Sequence, residues 1–251
     1  MSAGLVGKLS ALRESGGRGV LFTVVEGDGV GAKALVVEGG ETVGDGVPPE
    51  ALAQFDEIVR RGRNQLVETG GAKVFAEWYG PPPRLFVYGA VDTAEALCSG
   101  ARLFGWTAIV ADARAAFLTE ERIPSAHRLI AEWPAEALAE IEPDHQTAVV
   151  VLTHDDKFDE PALQAALETE AFYIGALGSR RNQERRRERL LEAGVSEDAL
   201  DRIKGPCGLD IGADTQAETA LSILAEILAV RAGRGGGPLR EAKQRIHAEV
   251  T

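Results

Sequence analysis

Cysteine is scarce in this chain: Cys98 and Cys207 are the two thiols in 251 residues. Two cysteines are too few for a disulfide framework or a cysteine-rich zinc site. Histidine is thin as well, and His127 and His145 stand isolated, so no metal-binding set is expected. Long apolar runs are missing. Nothing approaches the roughly 18–20 apolar residues that a membrane span needs. The opening MSAGLVGKLSALRESGG lacks a signal peptide's basic-then-apolar layout, because Lys8 and Arg13 interrupt a pattern that reads as an amphipathic helix. Positive charge is also in deficit, with a formal net charge of −12. Nucleic-acid affinity comes largely from neutralising phosphates, so a nucleic-acid groove is excluded as the main function. The expectation is a cytoplasmic protein with one local cluster of basic residues, SRRNQERRRER.

What is present is ample apolar material, 45% of residues, organised in two different ways. After the opening helix, GVLFTVVEG and AKALVVEGG read as valine-rich strands. A helical segment follows Pro48 and Pro49, with Ala51, Phe55, Ile58 and Val59 near one face, and NQLVET and AKVFAEWYG suggest two further strands. The triproline Pro81–Pro83 can continue neither a helix nor a ladder. It separates a smaller mixed α/β N-terminal domain, residues 1–80, from a second domain, residues 84–232.

From Arg84 onward the pattern becomes regular. Apolar runs at RLFVYGA, TAIVADA, HRLIAE, TAVVVLT and AFYIGAL alternate with helix-like segments such as Asp92–Phe104, Pro134–Glu142 and Glu160–Glu170. Nearly all-apolar strands alternating with helices predict an α/β unit with a parallel sheet covered on both faces. A last helix begins near Thr215 and Gln216 and ends before Gly233. GRGGGP then leads into a flexible polar tail, residues 233–251.

Ligands of such sheets bind beyond the carboxyl ends of the strands, so the residues there carry the functional reading. The first turn, Gly89-Ala90-Val91-Asp92-Thr93-Ala94, has the frame of a dinucleotide fingerprint, with Val91 where the second glycine belongs. Asp92 and Glu95 fit an acidic variant of the capping box that would satisfy the helix's own amides and repel a diphosphate. After the second strand come Asp112, at the spacing of a ribose-hydroxyl acceptor, and Arg114; a capping role is the alternative. Thr153 and His154 emerge where TAVVVL stops, and Asp155 and Asp156 can cap the next helix. Gly178-Ser179-Arg180-Arg181 is the strongest anion site. Ser179 can cap the helix, and two arginines at a helix start oppose its dipole unless an anion is near. The later arginines read as a solvated face paired with interleaved glutamates. Gly205, Gly208 and Gly212 crowd GPCGLDIGADT, in which Asp210 lies between apolar neighbours and is expected to meet a partner; Cys207 is a candidate soft ligand or a packed residue.

Taken together, VVVLTHDDKFDEPAL, FYIGALGSRRNQERRRERL and GPCGLDIGADTQAETALSILAEILAVRAG resemble the XdhC/CoxI family, the xanthine dehydrogenase accessory factors. The resemblance implies a Rossmann-like C-terminal domain behind an XdhC-type N-terminal one. It also implies a chaperone that binds the molybdenum cofactor, assists its sulfuration and delivers it to the apo-enzyme of a xanthine or carbon monoxide dehydrogenase-type molybdenum hydroxylase. A sulfur donor protein and a second copy of the chain are further partners on that reading. Two segments depart from the family pattern. The first turn lacks its second glycine, and the N-terminal region has Asp45-Gly46-Val47 where a cysteine-bearing segment is usual. The competing readings are an NAD(P)-dependent oxidoreductase and a degenerate paralogue that acts only by protein contact.

Overall fold

The computed structural model describes residues 3–153 and 155–243. The chain divides into two compact units, one running through Pro81 together with the segment after Gly236, the other Pro82–Gly236. The division falls inside the triproline. Of the polar tail, Leu239–Glu241 form one 3-10 turn, and residues 244–251 lie outside the described residues.

The first unit runs α1 (Ala3–Ser15), β1 (Gly19–Gly27), β2 (Lys33–Val37), β3 (Thr42–Asp45), α2 (Pro49–Leu52), α3 (Phe55–Arg61), β4 (Gln65–Glu68) and β5 (Ala72–Tyr79). Its sheet is antiparallel, in the order β3-β2-β1-β5-β4. The period-two alternation of β1 splits its side chains between the two faces. Val20, Phe22 and Val24 pack with Ile58 and Val59 of α3, while Leu21 packs with Leu5 and Leu12 of α1. Two details differ from the sequence expectation. The helical segment after Pro49 breaks in two around Ala53 and Gln54, and the glycine-containing TVGD forms an additional edge strand.

The second unit runs β6 (Arg84–Tyr88), α4 (Asp92–Leu103), β7 (Thr107–Ala111), a 3-10 turn (Ala115–Phe117), β8 (Arg128–Ile130), α5 (Pro134–Ile141), β9 (Thr147–Val151), α6 (Asp156–Leu167), β10 (Tyr173–Ala176), α7 (Arg180–Glu192), α8 (Glu197–Leu200), β11 (Ile203–Lys204) and α9 (Gln216–Ala232). Its sheet order is β11-β10-β9-β6-β7-β8 with every pairing parallel. Read from β8, that is the doubly wound order 3-2-1-4-5-6, with its switch point between β6 and β9. The predicted Rossmann-like sheet is therefore present, with the very short β11 added at its edge.

Both faces of this sheet are covered, which is why its strands are apolar throughout. Leu85 and Val87 meet Leu97 of α4 and Ile223 and Ile227 of α9. Their neighbours Phe86 and Tyr88 face Leu138 of α5, Leu163 of α6 and Leu190 of α7. Helix α6 begins four residues earlier than predicted, because Asp155 caps it by accepting the Lys157 N–H at 3.0 Å. Helix α9 is fixed at both ends: Thr215 and Glu218 form a capping box, and Gly233 closes the helix at φ +63°.

Candidate ligand edge of the parallel sheet

Gly89 follows β6 with φ +115°, and a Cβ there would lie 2.9 Å from Thr153 Cγ2. The residue is glycine because the β6 turn and the end of β9 touch at the switch point. The next amide, Ala90 N–H, donates to Asp112 Oδ2 at 2.9 Å. Asp112 also accepts from the Arg114 N–H at 2.9 Å, and the Arg114 guanidinium grips both its oxygens at 2.9 and 2.8 Å. Only 1% of Asp112 is exposed. Burial pushes its carboxyl up, but the Arg114 and Ala90 hydrogen bonds outweigh this and hold it below the usual carboxylate range. The carboxylate thus fastens the glycine turn to the end of β7, and both its oxygens are engaged by Ala90 and Arg114.

The acidic capping box expected at α4 does not form. Val91 is the N-cap, without a side-chain cap bond, and is partly buried against the core. Asp92 pairs with Arg122 at 3.4 Å. Glu95 turns away to accept from Ser125, N–H at 3.0 Å and Oγ at 2.6 Å. An apposed serine loop outcompetes the helix's own amides for Glu95, so the first turn of α4 keeps its amides free of carboxylate caps.

At the end of β9, Thr153 is buried and its hydroxyl donates to Asp159 Oδ1 of α6. Asp159 is buried too, and its Oδ2 accepts from Arg186 Nη2 of α7 at 2.5 Å. Arg186 Nη1 donates to Gln183 Oε1 at 2.7 Å, and Gln183 Nε2 donates to the carbonyls of Ala176 and Leu177 at 3.1 and 3.2 Å. Arg186 Nε has no hydrogen-bond partner among the described residues. This network locks the ends of β9 and β10 to α6 and α7. It corrects the expectation of a solvated arginine face: Arg186 is interior, while Arg187 and Arg189 pair with Asp201 and Asp156 at 3.0 and 2.7 Å. A sequence signal existed. Asp159 shares the buried face of α6 with Leu163 and Ala166, and Arg186 lies four residues before buried Leu190. His154 lies outside the described residues.

The β10 turn has the geometry of an anion cradle. Gly178 adopts φ +135°, and Ser179 caps α7 by accepting the Asn182 N–H at 3.2 Å. The first turn of α7 holds no acid. Arg180 and Arg181 are exposed, and neither forms a hydrogen bond or ion pair among the described residues. A cavity of about 420 Å³ opens beside Arg180, lined also by Gln183, Glu184, Arg186 and Arg187 and by apolar Leu190, Leu200 and Ile203.

In the glycine loop before α9, Gly208 is held by close packing. Gly208 donates its N–H to Glu226 Oε2 at 2.8 Å, and a Cβ on it would meet Ser222 Oγ at 2.4 Å. Gly212 adopts φ +71° with open space around it. Asp210, expected to meet a partner, is exposed and has none among the described residues; its Leu209 and Ile211 neighbours mark a loop. Cys207 is buried, and burial together with the Glu226 carboxylate pushes its thiol up to about 12. It is a packed thiol rather than a ligand. Among the described residues no cluster of histidine, cysteine and carboxylate could hold a metal ion, and no helix is long and apolar enough to cross a membrane.

The strand order and the close switch-point turn define a Rossmann-like unit. The XdhC Rossmann domain matches residues 85–227, more than half of the chain, and the chain belongs to that family. Among relatives, the uncharacterised protein YqeB of Escherichia coli K12 is 34% identical over 172 residues, 68% of this chain and 31% of that protein. The molybdenum cofactor insertion chaperone PaoD of the same strain is 35% identical over 157 residues, 62% of this chain and 43% of PaoD. A probable xanthine dehydrogenase subunit of Bacillus subtilis 168 is 33% identical over 158 residues, 63% of this chain and 46% of that protein. The chain thus spans less than half the length of each of these relatives. A crystal structure named as a xanthine dehydrogenase from Bacillus halodurans aligns over 92% of this chain and 67% of its own, with a TM-score of 0.69 and 24% identity. That likeness speaks for the fold.

Proposed function

We propose that this protein is a maturation factor that binds a pterin-type molybdenum cofactor as cargo and delivers it to the apo-form of a xanthine dehydrogenase-type enzyme. The observation that carries the reading is the pair of unpaired guanidiniums, Arg180 and Arg181, on an acid-free helix start. Positive charge there is unfavourable against the helix dipole and becomes favourable when an anion bridges it. The adjoining cavity of about 420 Å³ has a polar wall of arginines, Gln183 and Glu184 and an apolar wall, which leaves room beside Arg180 for the phosphate-bearing tail of such a cofactor. The protein offers no metal-ligating cluster of its own among the described residues, so the metal would travel on the pterin. The relative named as a cofactor insertion chaperone points the same way. Sulfuration with a donor protein, a homodimeric state and a cytoplasmic location belong to the same proposal. The oxidoreductase reading is not favoured, because Asp112 is committed to Ala90 and Arg114.

The test is anaerobic titration of the purified protein with the cofactor, alongside the R180A/R181A variant. Saturable binding weakened about tenfold or more in the variant is expected, since a charge-assisted hydrogen bond contributes roughly 1.5–3 kcal/mol. Absence of binding, with full activity of the partner enzyme when this protein is deleted, would sink the proposal.

A further inference from the structure

Beyond the anion turn, the same sheet edge carries a row of alternating aromatic and cationic side chains. Arg114 lies 4.7 Å from the Phe117 ring centre and 5.6 Å from that of Phe158. Lys157 lies 5.6 Å from Phe158 and 5.0 Å from Trp133, and Trp133 meets Phe158 with ring centres 5.4 Å apart. The order is therefore Phe117, Arg114, Phe158, Lys157, Trp133. These residues come from the turn after β7, the N-cap of α5 after β8 and the first turn of α6 after β9, at the carboxyl ends of the strands where α/β sheets bind ligands. Phe158 is buried and anchors the row, whereas Trp133 is 46% exposed and Phe117 40% exposed. Arg114 is neutralised by Asp112, but Lys157 forms no ion pair among the described residues. Two partly exposed rings, Phe117 beside Arg114 and Arg122 and Trp133 beside the unpaired Lys157, form a platform for a planar, electron-poor ring that carries negative charge.

We propose that Trp133, Phe117 and Lys157 form a stacking subsite for a flat heteroaromatic ring bearing an anionic group, the base of a nucleotide or a pterin acid. The inference deepens the proposed function and rests on it for placing the ligand along this sheet edge. The ring stacks on Trp133 while Lys157 meets its anion; Arg180 and Arg181, which follow β10, belong to a separate part of the edge.

Tryptophan makes the subsite measurable, because Trp106 is buried and Trp78 belongs to the first unit, which leaves Trp133 as the exposed tryptophan of this edge. The full-length protein is titrated with the common nucleoside monophosphates, with 6-carboxypterin and with inorganic phosphate, following tryptophan emission and heat of binding. Saturable quenching by at least one ring compound and none by phosphate is expected, and which arm binds tells nucleobase from pterin. W133F should abolish the quench. W133A, with unchanged circular dichroism, should bind that compound about 5- to 150-fold more weakly, the range for loss of one stacked base, and K157A should weaken it as well by removing the charge that meets the anion. No saturation by any ring compound, an equal response to phosphate, quenching that persists in W133F, or unchanged affinity in W133A would each overturn the subsite. If those failures accompany cofactor binding that still depends on Arg180 and Arg181, only the subsite falls. If Trp133 binds ring compounds while the cofactor does not bind, the maturation reading falls instead.

Discussion

Asp112, at the end of β7, and Asp159, in the first turn of α6, are both buried acids, and each is compensated by an arginine and by a group at a neighbouring strand end. Removing one partner of a buried pair leaves the other charge uncompensated, at a cost of about 3–5 kcal/mol. Asp159→Ala is therefore expected to lower unfolding stability by that order in urea melts. A double variant, D159L/R186M, should be less destabilised than D159A alone, since no charge is then stranded. Additive losses in that comparison would mean the two residues do not act as a pair. Asp112 gives a pH signature. Its folded carboxyl titrates below its usual range, so its stabilisation is complete above that range and is lost as pH falls through the lower, folded value. The wild type should thus exceed Asp112→Asn in melting temperature at neutral pH. That gap should close as pH falls from the usual carboxylate range through the lower, folded value. A gap independent of pH would show that the charge contributes nothing.

At the scale of elements, glycine separates a required conformation from a tolerated one. Gly89→Ala places a methyl group 2.9 Å from Thr153 Cγ2 on a backbone with φ +115°. A loss of about 1–3 kcal/mol is expected, seen as a lower urea midpoint. Gly7 lies inside α1 with nothing within 4 Å of its would-be Cβ. Gly7→Ala should respond oppositely, gaining roughly 0.5–1 kcal/mol from the better helix former. If G89A is neutral, the contact between the β6 turn and β9 does not constrain the edge. The strands and caps behind this edge were readable in sequence because each rests on local pattern: apolar runs for β6, β7, β9 and β10, and Ser179 and Thr215 just ahead of their helices. What escaped was whatever depends on a distant partner. Glu95 looked like a cap because its competitor, Ser125, is thirty positions away. Arg186 looked solvated because its counter-ion lies on another helix. Strand β3, TVGD, carries one apolar residue and a glycine, and β11 has two residues, so neither shows an apolar pattern.

On the scale of the whole molecule, the chain carries its apolar residues in separate cores, one set around Phe22 and Ile58, another on the two faces of the parallel sheet. Units with their own cores unfold as separate cooperative transitions unless a large interface couples them. The tryptophans report them individually, with Trp78 packed in the first unit and Trp106 and Trp133 in the second. In a W106F/W133F background, urea unfolding followed by emission should trace the first unit alone. In W78F it should trace the second. Ile58→Ala, which empties a fully buried position beside Val59 and Ala51, should lower the first transition by about 2–5 kcal/mol and leave the second in place. The ligand edge would then survive damage to the other unit, and a compound that binds along β9 and β10 should raise only the second transition, by mass action. A single transition shifted equally by I58A at both reporters would show instead that the two units fold as one, and that the first contributes directly to holding the ligand edge together.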